Sequence, residues 1–155
     1  MTHQKTYEER REDFCISTDK DRLNIEVIHY FLANESYWSK DIPLSVVHKA
    51  VSNSLCFGVF KGDEQVGFAR VVSDYVTYAW LADVFILKEY RGLGLSKWML
   101  EFIMSHPDLQ VLRRWMLATR DAHELYSRYG FKPVAHPERL MENHQPDVFK
   151  AAWVD

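Results

Sequence analysis

The 155-residue chain reads as a mixed α/β (α+β) fold: a central sheet, antiparallel in its N-terminal half and parallel in its second, flanked by helices. Three observations predict this. Residues 79–87, Ala-Trp-Leu-Ala-Asp-Val-Phe-Ile-Leu, form a nearly continuous apolar run with the length of a central strand buried on both faces. After two glycines come Leu95, Trp98, Met99, Phe102 and Ile103, spaced as the apolar stripe of an amphipathic helix. Residues 111–118 are again strand-like. A strand, a helix and a strand in that order pair parallel through a right-handed crossover.

The other elements follow in order. Residues 1–12 are strongly charged and are expected to be poorly ordered. Residues 14–17 form a short strand. Asp19 or Asp21 can cap a helix carrying Leu23, Val27, Ile28, Phe31 and Leu32. Residues 33–42 are then a loop holding Tyr37 and Trp38, and Pro43 opens a second helix with Val46, Val47, Ala50 and Val51. Strands at 55–60 and 65–72 are joined by a hairpin turn at 61–64, and 73–76 leads into the central strand. The helix over 94–105 must stop before Pro107. A short helix at 121–129 places Ala122, Leu125, Tyr126 and Tyr129 on one face, with Gly130 at its C-terminal cap. The tail holds Pro133, Pro137 and Pro146, and offers short strands near 140–142 and 148–153 that could make a homodimer contact.

Composition narrows the function classes. At 47% hydrophobic and 14% aromatic, the chain can build a full core as one domain, 1–155. It has no apolar run long enough to span a membrane and no apolar secretion signal at its start. Cys15 and Cys56 are too few for a disulfide framework, so a reduced, cytoplasmic protein is expected. A net charge of −3 argues against a nucleic-acid surface. The seven histidines lack metal-ligand spacing, and no metal is expected.

Chemistry concentrates where the central strand turns into the helix. Arg91-Gly92-Leu93-Gly94-Leu95-Ser96 aims free backbone N–H groups at one spot, at the positive end of a helix dipole, which makes an anion site. A tight βα turn alone would explain the same glycines. Asp83 is the only charge in the central strand, and a buried carboxylate needs a partner or a task. It could be a base, an anchor for a cationic acceptor, or a structural partner of Arg70 or Arg113.

The order of elements and two motifs resemble the GNAT superfamily of acetyl-CoA dependent N-acetyltransferases. Arg91-Gly92-Leu93-Gly94-Leu95-Ser96 is similar to the family's coenzyme signature, with Ser96 in place of a Gly or Ala. Thr119-Arg-Asp-Ala122-His-Glu-Leu125-Tyr126-Ser-Arg-Tyr-Gly130-Phe131 is similar to its second signature, with Thr119 at the Asn position. The resemblance is strongest over 55–131. It implies acetyl-CoA as co-substrate, with its pyrophosphate on Gly92–Ser96 and Arg91. It further implies a splay beside the central strand, in which Val84 and Ile86 offer main-chain bonds to the pantetheine arm, with Phe85 between them in the coenzyme site. Thr119 is assigned to the coenzyme site on the same ground. Tyr126 takes the position of the tyrosine that serves the departing thiolate, although packing on the apolar helix face accounts for it equally. Asp83 resembles the second acid of an acidic pair whose first place is held here by Ala82. Tyr30, Trp38, Trp80 and Asp83 fall where the family has its acceptor groove, and His123 shares a helix edge with Tyr126.

The expected activity is therefore transfer of an acetyl group from acetyl-CoA to a primary amine of a small molecule, by direct attack in a ternary complex. Acetylation of a protein N-terminus or lysine is one alternative. A non-catalytic acyl-CoA-binding protein is another, supported by Ala82.

Overall fold

The computed structural model describes residues 5–153. Eleven elements follow one another: β1 (Glu8–Arg11), β2 (Phe14–Ser17), α1 (Ile25–Tyr30), α2 (Leu44–Ser52), β3 (Leu55–Lys61), β4 (Glu64–Ser73), β5 (Tyr78–Ile86), α3 (Leu95–Met104), β6 (Arg114–Met116), α4 (His123–Ser127) and α5 (Val148–Ala152). The strands form one sheet in sequence order. Every neighbouring pair is antiparallel except β5 and β6, which are parallel. The predicted fold class and the crossover through α3 are therefore both observed.

The two faces of the sheet bury separate apolar sets. Leu95, Trp98, Met99, Leu100 and Ile103 of α3 pack against Phe57, Val59, Val71 and Leu81. Ile28, Phe31, Leu32, Val47 and Val51 of the α1–α2 layer pack against Cys56, Phe68 and Phe85 on the other face. Several of these side chains are fully buried, among them Phe57, Met99, Leu100 and Ile103. Removing such a side chain costs about 2–5 kcal/mol.

Several expectations need correction. Residues 8–11, within the stretch expected to be poorly ordered, form the edge strand β1. Its side chains are exposed while its backbone pairs with β2, Glu8 opposite Ser17 and Arg11 opposite Phe14. A charged edge strand has no apolar alternation to read, because its charges serve to keep the edge in water. The indole of Trp98 donates to Glu9 at 2.9 Å and ties β1 to α3. Residues 1–4 of that stretch lie outside the described residues. The cap of α1 is Asn24, whose side chain accepts from the Val27 N–H, while Asp19 caps a separate 3-10 turn at Lys20–Arg22. After Tyr30 the helix continues as a wider turn, Phe31–Glu35, that reaches into the predicted loop.

β6 spans three residues rather than 111–118. The tail contains no strand among its described residues. It has a 3-10 turn at Pro137–Arg139 and the helix α5. Its prolines lack the N–H a ladder needs, and the homodimer contact expected from tail strands loses that basis. No helix among the described residues is long and apolar enough to cross a membrane.

His106, just after α3, is 2% exposed. Its ring meets Tyr7 and Phe57 edge-on, and its Nδ1 accepts from the Asp108 N–H at 3.1 Å. Burial pushes its pKa below the ordinary 6.5, so the folded state resists a proton that the unfolded chain accepts. Its stabilising effect is thus complete above pH 6.5 and declines as pH falls below that value. Urea unfolding over a pH series should show this decline, and His106→Leu should flatten it.

Candidate active site

The pairing of β5 with β6 stops early. Tyr78, Ala79 and Trp80 pair with Arg114, Trp115 and Met116, and beyond them the two chains diverge. A cavity of about 600 Å³ occupies the fork, lined on one side by Leu81 to Val84 and on the other by Leu117 to Ala122. The fork explains why β5 is not buried on both faces along its length, as its apolar run predicts. Trp80, Ala82, Asp83 and Val84 are only partly covered.

β5 also carries a bulge. Phe85 lies opposite Phe68 and Ala82 opposite Arg70, so Asp83 and Val84 together face the single residue Ala69. Asp83 takes the left-handed conformation, φ +55°, which aspartate tolerates better than most side chains. The bulge reverses the alternation of the strand. Ala79 and Leu81 face α3, whereas after it Val84 and Ile86 do so and Phe85 turns to the α1–α2 layer. There Phe85 stacks on Phe31 with centroids 4.0 Å apart.

Two contacts hold Asp83. Arg70 Nε donates to one carboxylate oxygen at 2.8 Å, and the Trp38 indole N–H donates to the other at 2.9 Å. The carboxylate is 9% exposed. The carboxylate is thus held in orientation by a donor from β4 and a donor from the α1–α2 connection. Trp38 belongs to the connection between α1 and α2, which is fastened a second time at Tyr37. The Tyr37 hydroxyl accepts from the Arg120 N–H at 2.8 Å, and the Arg120 guanidinium lies 3.9 Å from the centre of its ring. This segment therefore bridges the two arms of the fork.

Tyr126, on α4, lines the same cavity. Its ring is 9% exposed and meets Phe131 edge-on. Its hydroxyl has no hydrogen-bond partner among the described residues. Burial, with smaller contributions from Tyr37 and Asp121, pushes its pKa up to about 12. It is a proton-bearing donor with its donor unused. Thr119 accepts from the Ala122 N–H at 3.0 Å and so shapes the start of α4.

At the far end of β5 lies the turn 91–96. Gly92 and Gly94 have φ of +81° and +80°, which makes glycine the fitting residue at both. A Cβ at either would meet nothing of the protein within 4 Å, so the space in front of the turn is open. Gly94 caps α3, and the first bond of the helix runs from Trp98 N–H to Gly94 C=O. The N–H groups of residues 95–97 thus lie free at the helix start. Arg91 Nε donates to the Ile86 carbonyl at 2.9 Å, which holds the guanidinium beside the turn.

This arrangement agrees with comparisons to known proteins. A family model described as an acetyltransferase (GNAT) domain matches residues 52–133. The chain belongs to the GNAT acetyltransferase family. As a GNAT acetyltransferase it is an acyltransferase enzyme. A relative from Gibberella zeae that bears the name acetyltransferase is 32% identical over 140 residues, which cover 76% of this chain and 78% of the relative. A crystal structure of a GNAT-family protein from Xanthomonas campestris pv. campestris is 52% identical. It superposes with a TM-score of 0.85 over 88% of this chain and 96% of that one. A GNAT acetyltransferase from Elizabethkingia anophelis, solved with acetyl-CoA bound, shares the fold at 13% identity and a TM-score of 0.60, over 85% of this chain and 88% of its own.

Within this GNAT chain the structure brings Trp38, Trp80, Asp83, Val84, Thr119 and Tyr126 to one cavity. Tyr30 is not among the lining residues; it is 62% exposed on α1. The side chains of Phe85, Ile86 and Leu95 are buried in the core, and the Ile86 carbonyl already accepts from Arg91. Leu93 and Ser96 sit on the turn, Leu93 exposed and Ser96 half-buried. His123 is exposed and lines a neighbouring hollow instead. Two contributors, Tyr37 and Arg120, gave no signal as a pair because they are 83 residues apart. Replacing Arg70 by Ala should strand the Asp83 carboxylate and cost about 3–5 kcal/mol in chemical unfolding, with Arg70→Lys recovering part of the loss.

Proposed function

We propose that the chain transfers an acetyl group from acetyl-CoA to a primary amine of a small molecule, by direct attack within a ternary complex. The observation that carries this reading is the unpartnered Tyr126 hydroxyl in the same cavity as the unpaired edge of β5. The acetyl-CoA held by the Elizabethkingia anophelis protein of the same fold supports the choice of donor. On this reading the free N–H groups after Gly94, with Arg91, bind the pyrophosphate. The pantetheine arm, which is peptide-like, adds to β5 near Val84 as an extra strand would. Tyr30 takes no part.

The amine lone pair attacks the thioester carbonyl carbon, and the C–S bond breaks as the tetrahedral intermediate collapses. Sulfur leaves with the bonding electrons. The Tyr126 phenol, at about 12, is a weaker acid than a thiol at about 8.5. It therefore stabilises the thiolate by donating a hydrogen bond, and the full proton arrives from solvent or from the attacking nitrogen. Asp83, occupied by Arg70 and Trp38, anchors the acceptor nitrogen. The acceptor docks at Asp83 as its ammonium; with no acid at Ala82 to take the proton, the proton passes to solvent, and the free-base fraction so formed attacks.

Tyr126→Phe should lower kcat by about tenfold or more while leaving the acetyl-CoA Kd within about twofold, measured by thiol release and calorimetry. An unchanged kcat would refute the role. For the intact enzyme, kcat/KM for the amine should rise about tenfold per pH unit below the pKa of the amine itself. No falling limb should come from Tyr126 below about pH 10, because its proton is held to about 12. A plateau set by an enzyme group near neutrality would overturn this account.

A further inference from the structure

Resting on the acetyl-transfer reading above, we propose that the acceptor is a small amine bearing one positive charge and a flat aromatic body, not a polyamine and not a protein lysine or terminus. Its ring would lie against Trp38, Tyr37 and Trp80, with its nitrogen at Asp83.

The charges of the cavity come first. Its charged lining residues are Arg70, Asp83, Arg120 and Asp121. They form two pairs, Arg70–Asp83 at 2.8 Å in the interior and Arg120–Asp121 at 3.9 Å at the exposed rim. The lining carries no surplus acid. A polycation would have to bring further ammonium groups into this space without partners, and an unpaired buried charge is costly. One cation is a different case. Each Asp83 oxygen has accepted a single hydrogen bond, and a carboxylate oxygen has room for a second.

The walls come next. Tyr37, Trp38, Trp80 and Tyr126 all face the cavity. Tyr37 and Trp38 remain 44% and 42% exposed, so the core does not bury them. They are positioned by polar tethers at their tips, Trp38 Nε1 to Asp83 and Tyr37 Oη to Arg120, and they meet edge-to-face at 5.0 Å. Large aromatic rings held in place by their polar atoms, with ring surface still open, form a preorganised wall for a flat apolar group. The same rings favour a cation over their faces.

Access points the same way. The Tyr37–Arg120 contact ties the α1–α2 connection across the fork to the segment before α4. An extended peptide would have to break that bridge, whereas a compact amine fits beside the thioester in about 600 Å³.

The experiment uses the full chain with acetyl-CoA and four probes: 2-phenylethylamine, butylamine, spermidine and a lysine-containing peptide. Thiol release is compared at equal free-base concentration, and calorimetry measures amine binding to the protein saturated with CoA. Phenylethylamine should exceed each of the other three by about tenfold or more in kcat/KM and in affinity, the scale of one aromatic contact. Trp38→Ala should erase that preference. Trp38→Phe, which keeps a ring but loses the bond to Asp83, should retain it while raising KM for every amine. Preference for spermidine or peptide, or a preference unchanged in Trp38→Ala, would overturn the proposal. Selective phenylethylamine binding without thiol release on any amine would leave the pocket assignment standing and sink the acetyl-transfer reading instead.

Discussion

Asp83 sits at φ +55° in the middle of a strand, and much of the molecule depends on its being held there. A left-handed non-glycine residue costs about 1–2 kcal/mol. The bond from Arg70 and the bond from Trp38 offset that cost. In return, the bulge reverses which face each later residue of β5 serves. Phe85 reaches the α1–α2 layer and stacks on Phe31, while Val84 and Ile86 turn to α3. Both cores are thus completed by one strand through one irregular residue, beside the point where β5 parts from β6.

The same residue couples the scaffold to the site. Arg70 comes from β4, Trp38 from the α1–α2 connection, and both end on one carboxylate. The connection is then fastened to the other arm of the fork through Tyr37 and Arg120. Positioning of this kind does not rely on burial, since the Tyr37 and Trp38 rings stay half open. It relies on directional polar contacts, which fix orientation as well as distance. A cavity built this way has walls from five separate segments and little freedom in how those walls face.

Much of the fold was legible because its signals are local. The apolar run of β5, the stripe of α3, the hairpin between β3 and β4, and the turn at Gly92 and Gly94 all declare themselves within a dozen residues. The misses have physical causes. β1 is a charged edge strand with no apolar pattern to detect. β6 is short because the fork ends its pairing after Met116, and the apolar character of 111–118 carries no record of that. The tail holds β-compatible residues but also several prolines, which lack the N–H a ladder needs. Of the residues lining the cavity, Tyr126 and Thr119 stand in a recognisable motif and Asp83 is the only charge of its strand, so each carries a local signal. Tyr30 was carried in by its neighbourhood on a helix, and the structure leaves it in solvent.

By itself, the sequence determined the fold class, the glycine turn before α3 and the family, because each rests on periodicity or on residues close together along the chain. The tertiary structure alone decided how far β5 and β6 stay paired, that Asp83 is spent on Arg70 and Trp38, and that Tyr37 and Arg120 meet across the fork. Those are contacts between segments far apart in sequence. Their geometry follows from how the layers pack, and no local pattern encodes it. The turn at Gly92 and Gly94 is therefore readable from a few consecutive residues, whereas the cavity in the fork depends on side chains that only folding brings together.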